Sequence, residues 1–143
     1  MRYLLDTNHA SPLVTPGHPV RAWFDRARLS GAVFHLDPVV RSEVRFGLRG
    51  TPRAAENLRR WSDLLPALTP VALRHGDAEL AADLRVLLRA RGRQLALADA
   101  LIAAVALRLD LTLLTRDRDF VAVPGLASED WSTPQNDSPT RSP

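Results

Sequence analysis

Two aspartates stand where an apolar stretch gives way to polar residues and a third interrupts an apolar run, and that placement is the first chemical signal in the chain. Asp6 follows Tyr3-Leu4-Leu5, Asp117 follows Thr112-Leu113-Leu114-Thr115-Arg116, and Asp99 interrupts the apolar run from Leu97 to Leu107. A fourth acid, Glu43, lies in a segment with helical spacing. Several carboxylates, four His without ligand spacing and no Cys make a hard-oxygen donor set, which suits Mg²⁺ or Mn²⁺ rather than zinc. Acids gathered without a cation would repel one another, and some would stay protonated. The natural chemistry of such a site is phosphodiester hydrolysis, with a metal activating water and clamping phosphate oxygens.

Each acid also has an ordinary reading. Loops after strands favour Asp for turn reasons alone, which would account for Asp6 and Asp117. A first-turn Asp is favoured by the helix dipole by roughly 0.3–1 kcal/mol, which would account for Asp99. Its neighbours Ala98, Ala100, Ile102 and Ala103 offer no side-chain hydrogen bonds, however, so a buried charge there calls for compensation. Glu43, between Arg41 and Arg45, equally fits a solvated ion-pair face. Asp25, Asp37, Glu56, Asp63, Glu79, Asp83 and Asp110 read as solvated charges, and Asp77 as a helix cap.

The elements that must carry these acids alternate between strand and helix. Strands are expected over residues 3–5, 33–36, 68–73 and 111–115, with a last edge strand near 126–131. Pro70 puts the third of these at a sheet edge or strand start. Helices are expected over 9–13, 20–29, 39–48, 53–65, 77–90 and 97–109, the last apolar nearly all round and so in the core. Gly92 closes the fifth. The alternation implies an α/β fold: one domain over residues 1–131, with a central, mainly parallel sheet of four to five strands and helices on both faces. Residues 132–143 hold Ser, Thr, Pro, Asn, Gln, Asp and Arg without an apolar side chain and read as a disordered tail.

At 143 residues the chain suits a single domain with a proper core. It has no apolar run of membrane-spanning length and no signal-peptide pattern at its start, so an intracellular, cytoplasmic protein is expected. The net charge is +3, and all 19 basic residues are Arg. Without Lys there is no Walker-A, Schiff-base or other lysine chemistry. Arg suits bidentate phosphate contacts, which permits a nucleic-acid partner.

Four segments together resemble the PIN-domain nucleases, and most closely the VapC-type toxins of bacterial type II toxin–antitoxin systems. They are Leu4-Leu5-Asp6-Thr7-Asn8, Ser42-Glu43-Val44-Arg45-Phe46-Gly47, Asp99 through Ala106, and Thr115-Arg116-Asp117-Arg118-Asp119-Phe120. The resemblance spans about residues 2–131. It implies a metal-dependent endoribonuclease toxin that leaves 5′-phosphate and 3′-hydroxyl ends and is neutralised by a cognate antitoxin. By resemblance, Asp6, Glu43, Asp99 and Asp117 bind Mg²⁺ or Mn²⁺, Asn8 and Thr115 orient the acids or the attacking water, and Asp119 ligates weakly or lies behind them. It further implies an RNA substrate, a homodimer and a toxin–antitoxin hetero-oligomer. Arg41, Arg45 and Arg49, on the Glu43 helix, are the first candidates to grip RNA; Arg85, Arg89, Arg91 and Arg93 form a second basic cluster.

Two other readings compete. A haloacid-dehalogenase-like phosphatase would use Asp6 as nucleophile but needs an acid where Asn8 stands and a later Lys, which is missing here. A catalytically weak PIN-like module that only binds RNA or protein would keep the same acids without turnover.

Overall fold

The computed structural model describes residues 1–134, so residues 135–143 of the expected tail lie outside the described residues. Five strands form one sheet in the order β3-β2-β1-β4-β5, every neighbouring pair parallel. They are β1 (Arg2–Leu5), β2 (Val33–Leu36), β3 (Thr69–Pro70), β4 (Thr112–Leu114) and β5 (Ser128–Glu129). In register, Leu4 pairs with Leu113 on one side and His35 on the other. Tyr3, Leu4 and Leu5 are all buried although successive side chains point to opposite faces, so both faces of the central strand are covered. The two outermost strands are only two residues long, shorter than the sequence suggests. Pro70, lacking an N–H, sits on the edge strand, where no further strand needs its donor.

Six α-helices connect the strands: α1 (Thr7–Ala10), α2 (Pro19–Leu29), α3 (Pro38–Arg49), α4 (Ala54–Leu64), α5 (His75–Ala90) and α6 (Leu97–Leu109). Helix α1 starts earlier than expected because Asp6 caps it, and it continues as a 3-10 turn over Ser11–Val14. Pro19 and Pro38 occupy first-turn positions, where a missing N–H costs nothing. Ala100 and Ile102 through Ala106 are buried, and α6 packs along α5. Arg108 near its end makes two hydrogen bonds, of 2.7 and 2.9 Å, to Asp77. Asp77 caps α5 from inside the first turn, accepting Arg74 N–H at 2.8 Å, so the helix begins two residues before it. Asp110 ends α6 in the left-handed conformation, φ 52°.

After β5 the chain returns to the first two strands. The Trp131 ring lies 4.9 Å from Tyr3 and 5.8 Å from Phe34, and stacks on Trp23 at 5.4 Å, centroid to centroid. Its backbone N–H donates to Nε2 of the fully buried His9 at 2.8 Å. No helix among the described residues is long and apolar enough to cross a membrane.

Candidate active site

In a parallel sheet the strands' carboxyl ends share one edge, and the residues just beyond them face the same cleft. Asp6 follows β1, Asp37 follows β2, and Asp117 follows β4 with two residues between. Each turns the chain into a helix or 3-10 turn and caps it. Asp6 accepts Thr7 N–H at 2.7 Å, Asp37 accepts Val40 N–H at 3.0 Å, and Asp117 accepts Asp119 N–H at 2.9 Å. Asp99 arrives in the first turn of α6, and Glu43 from the middle of α3. Asp6, Glu43, Asp99 and Asp117 thus come from four separated segments to line one cavity of about 460 Å³, with Thr7, Asn8, His18 and Arg116 also on its wall.

A hydrogen-bond network fixes Asp6. Its Oδ2 accepts from the Thr115 hydroxyl at 2.7 Å and from the Asn8 amide at 3.1 Å. The same hydroxyl accepts Asp117 N–H at 3.0 Å, tying two of the acids to one side chain. Asn8 is oriented in turn: its Oδ1 lies 2.7 Å from His9 Nδ1 and accepts Arg116 N–H at 3.2 Å. Because Nε2 of His9 accepts from Trp131, its proton sits on Nδ1 and is donated to Asn8. Burial lowers His9 from its ordinary 6.5 to about 4, so the ring is neutral at physiological pH.

The electrostatics are those of acids held too close for comfort. Burial raises Asp6, with the Thr115 and Thr7 hydrogen bonds opposing the shift and the Asp117 charge adding to it. Asp99 is raised to about 6, first by burial and then by the charges of Asp6, Asp117, Glu43 and Asp119. Neutralising that crowd is what a divalent cation does. The donor set, all carboxylate oxygen, fits Mg²⁺ or Mn²⁺. Among the described residues no three His, Cys, Asp or Glu side chains already converge as a ligand group. Mg²⁺ needs no such cage, since it commonly takes one or two carboxylates and completes its shell with water and substrate phosphate.

Of the other residues singled out from the sequence, Asn8 and Thr115 bond directly to Asp6. Asp119 lines an adjoining cavity together with Asp99. Arg41, Arg45 and Arg49 are exposed on α3 and line neither cavity.

Asp37 is a correction. It reads from sequence as a solvated charge, yet it is fully buried, its Oδ2 has no hydrogen-bond partner, and burial raises it to about 6 despite the N–H bonds of Val40 and Val39. The charges of Asp6 and Glu43 add to that rise. The signal is present in the sequence, because Leu36-Asp37-Pro38 repeats the pattern of a strand ending in an acid that marks Asp6. The neutral His9 and the positions of His18 and Arg116 at the cavity wall carry no pattern in sequence, since each depends on a long-range contact.

The PIN domain family model matches residues 3–126. No curated protein matches the chain. Among solved structures, it is similar to VapBC-5 from Mycobacterium tuberculosis, described as a member of the VapBC family of toxin–antitoxin systems, with 25% identity and a TM-score of 0.64 over 92% of this chain and 98% of that one. It also superposes on VapBC2 from Rickettsia felis bound to a promoter DNA fragment, at 23% identity and TM-score 0.80 over 92% and 99% of the two chains. A third likeness is VapC20 from Mycobacterium tuberculosis, described as a sarcin–ricin-loop-cleaving toxin, at 18% identity and TM-score 0.64 over 85% and 95%. With the family model covering most of its length and the parallel sheet delivering its acids to one cleft, this chain belongs to the PIN domain family.

Proposed function

We propose that this protein is a metal-dependent endoribonuclease toxin of the VapC type, neutralised in the cell by a cognate antitoxin. The observation that carries the reading is that Asp6, Glu43, Asp99 and Asp117, spread over more than a hundred residues of sequence, line one cavity. The toxin and antitoxin part rests on the resemblance: VapBC-5, at 25% identity, is described as belonging to a family of toxin–antitoxin systems, and VapC20 as a sarcin–ricin-loop-cleaving toxin. By the same analogy the protein forms a homodimer and a hetero-oligomer with its antitoxin, and acts in the cytoplasm.

Asp6, Asp99, Asp117 and Glu43 would hold Mg²⁺ or Mn²⁺, which when bound supplies an activated water and offsets charge on the phosphate. The chain's own residues set the geometry. Thr115 and Asn8 hold the Asp6 carboxylate in one orientation, and Asp117, capping its own turn, is held by the same threonine. Glu43 is exposed on α3 and accepts the Thr7 hydroxyl at 3.3 Å, leaving lone pairs for the proton released as water attacks phosphorus. The P–O3′ bond then breaks and the leaving 3′-oxygen takes a proton from solvent, giving 3′-hydroxyl and 5′-phosphate ends. Arg116, at the cavity wall, is placed to meet a phosphate oxygen.

Incubating the purified protein with RNA in Mg²⁺ or Mn²⁺ tests this. Cleavage should occur, stop on chelation, and be lost in Asp6→Asn and Asp99→Asn. Cleavage that persists in both variants would overturn the proposal.

A further inference from the structure

Beside the acid cavity lies a second one, of about 670 Å³, and the two meet at Asp99, which lines both. Its charge is sharply graded. At the shared end stand Asp99 and Asp119; the remaining wall has no acid and carries Arg85, Arg89 and Arg93. Ala82, Arg85, Val86 and Arg89 follow one another at i, i+3, i+4 and i+7 on α5, so they form a single helix face. Arg93 stands on the loop between α5 and α6. Arg85 fastens that loop, donating Nε–H to Leu95 O at 3.1 Å, which leaves its two terminal nitrogens for a ligand. Arg89 and Arg93 are exposed and enter none of the ion pairs among the described residues.

We propose that this second cavity is a binding track for single-stranded RNA, in which Arg85, Arg89 and Arg93 hold the phosphates on one side of the bond being cut. This rests on the nuclease reading for its direction but not for its binding. Arg85 and Arg89, four residues apart, put guanidinium groups roughly 6 Å apart along the helix axis, in line for successive phosphates of one strand. The exposed Val86 supplies apolar surface between the cations, against which a sugar or base edge can lie. A track open to the acid cavity at Asp99 delivers the next phosphodiester to the carboxylates. Arg41, Arg45 and Arg49 of α3 line neither of these two cavities.

The test is binding, measured apart from cleavage. A labelled single-stranded RNA of about a dozen uridines is titrated with the full chain in chelator, followed by fluorescence anisotropy over a range of salt. Arg89→Gln with Arg93→Gln should raise Kd on the order of tenfold and flatten the plot of log K against log salt by about 1.4, near 0.7 for each phosphate no longer neutralised. Arg28→Gln with Arg59→Gln, which line neither cavity, should change Kd less than about twofold. All four positions are exposed, so the variants keep the wild-type circular dichroism and melting point. Equal binding by the Arg89/Arg93 pair and the wild type, or no binding by the wild type, overturns the track. Weaker capture of an acidic peptide by that pair, with RNA affinity unchanged, also overturns it and makes the groove a protein site. RNA binding that depends on Arg89 and Arg93 with no cleavage in Mn²⁺ keeps the track and removes the nuclease reading.

Discussion

The Thr115 hydroxyl donates to Oδ2 of Asp6 across 2.7 Å, joining residues 109 positions apart and locking the acid after β1 to the end of β4. The bond is buried, and the acceptor is charged when Asp6 is ionised. Thr115→Val keeps the shape but leaves Asp6 short of a donor and Asp117 N–H without its acceptor. A loss of about 2–3 kcal/mol in chemical denaturation is expected. Cleavage should fall roughly 10- to 100-fold, as when a group that orients a ligand is lost. Thr115→Ser should restore most of both, because it returns the hydroxyl.

Asp99 sets stability against function. Its folded-state value of about 6 lies above the ordinary carboxylate range, so the ionised form weighs against the fold at pH 7 when no metal is present. Asp99→Asn removes that charge at nearly constant volume. In chelator at pH 7 the variant should be more stable than the wild type by on the order of 1–3 kcal/mol. Adding Mn²⁺ should raise the melting point of the wild type and leave that of the variant nearly unchanged. A variant less stable than the wild type in chelator would mean that the Asp99 charge already has a partner.

His9 gives the structure an acid limit. The neutral ring joins Trp131 N–H to Asn8, and protonation would destroy its acceptor at Nε2. Its folded value is about 4 against 6.5 unfolded, so its contribution is complete above pH 6.5 and drains away as the pH falls toward 4. Asp37 and Asp99 have the opposite linkage, so the total stability of the wild type hides this one. The readable quantity is the stability gap between wild type and His9→Gln, followed by urea unfolding from pH 7 to pH 4. That gap should narrow by roughly 3 kcal/mol.

Much of this is legible in the sequence because local pattern and global position coincide in a parallel sheet. A short apolar run ending in Asp points the acid toward the carboxyl edge of the sheet, so Asp6 and Asp117 can be placed from sequence, whereas Asp37, with the same pattern, is buried and lines neither cavity. Asp99 stands out because the helix dipole favours a first-turn acid only modestly, while its apolar neighbours offer a buried charge no side-chain hydrogen bond. Glu43 has no such local signature and is found only through the motif around it. The two-residue edge strands are shorter than expected, since apolar character at residues 68–73 and 126–131 does not say how many residues find a backbone partner. Where the phosphate contacts lie depends on which helix face borders the acids. Charge alone does not choose between the exposed arginines of α3 and those of α5; Arg85 and Arg89 of α5 line a cavity that adjoins the acids.

Asp37 carries the same strand-then-acid pattern under a different outcome, and it supplies the last prediction. Its Oδ1 caps α3 through Val40 N–H, while Oδ2 is buried without a partner beside other acids. The cap needs an acceptor and not a charge, and serine supplies one. Asp37→Ser should therefore stabilise the metal-free protein at pH 7 by on the order of 1–3 kcal/mol, the cost of keeping ionised a carboxyl raised to about 6. The sign reverses the usual rule that losing a buried hydrogen-bonded Asp destabilises. It also carries its own control: as the pH falls from 7 toward 4, native Asp37 becomes protonated and the advantage of serine should fade. A destabilised Asp37→Ser at pH 7 would show that the second oxygen meets a positive partner, and a cation shared with the neighbouring acids would be the first to look for, by titrating Mn²⁺ into both proteins.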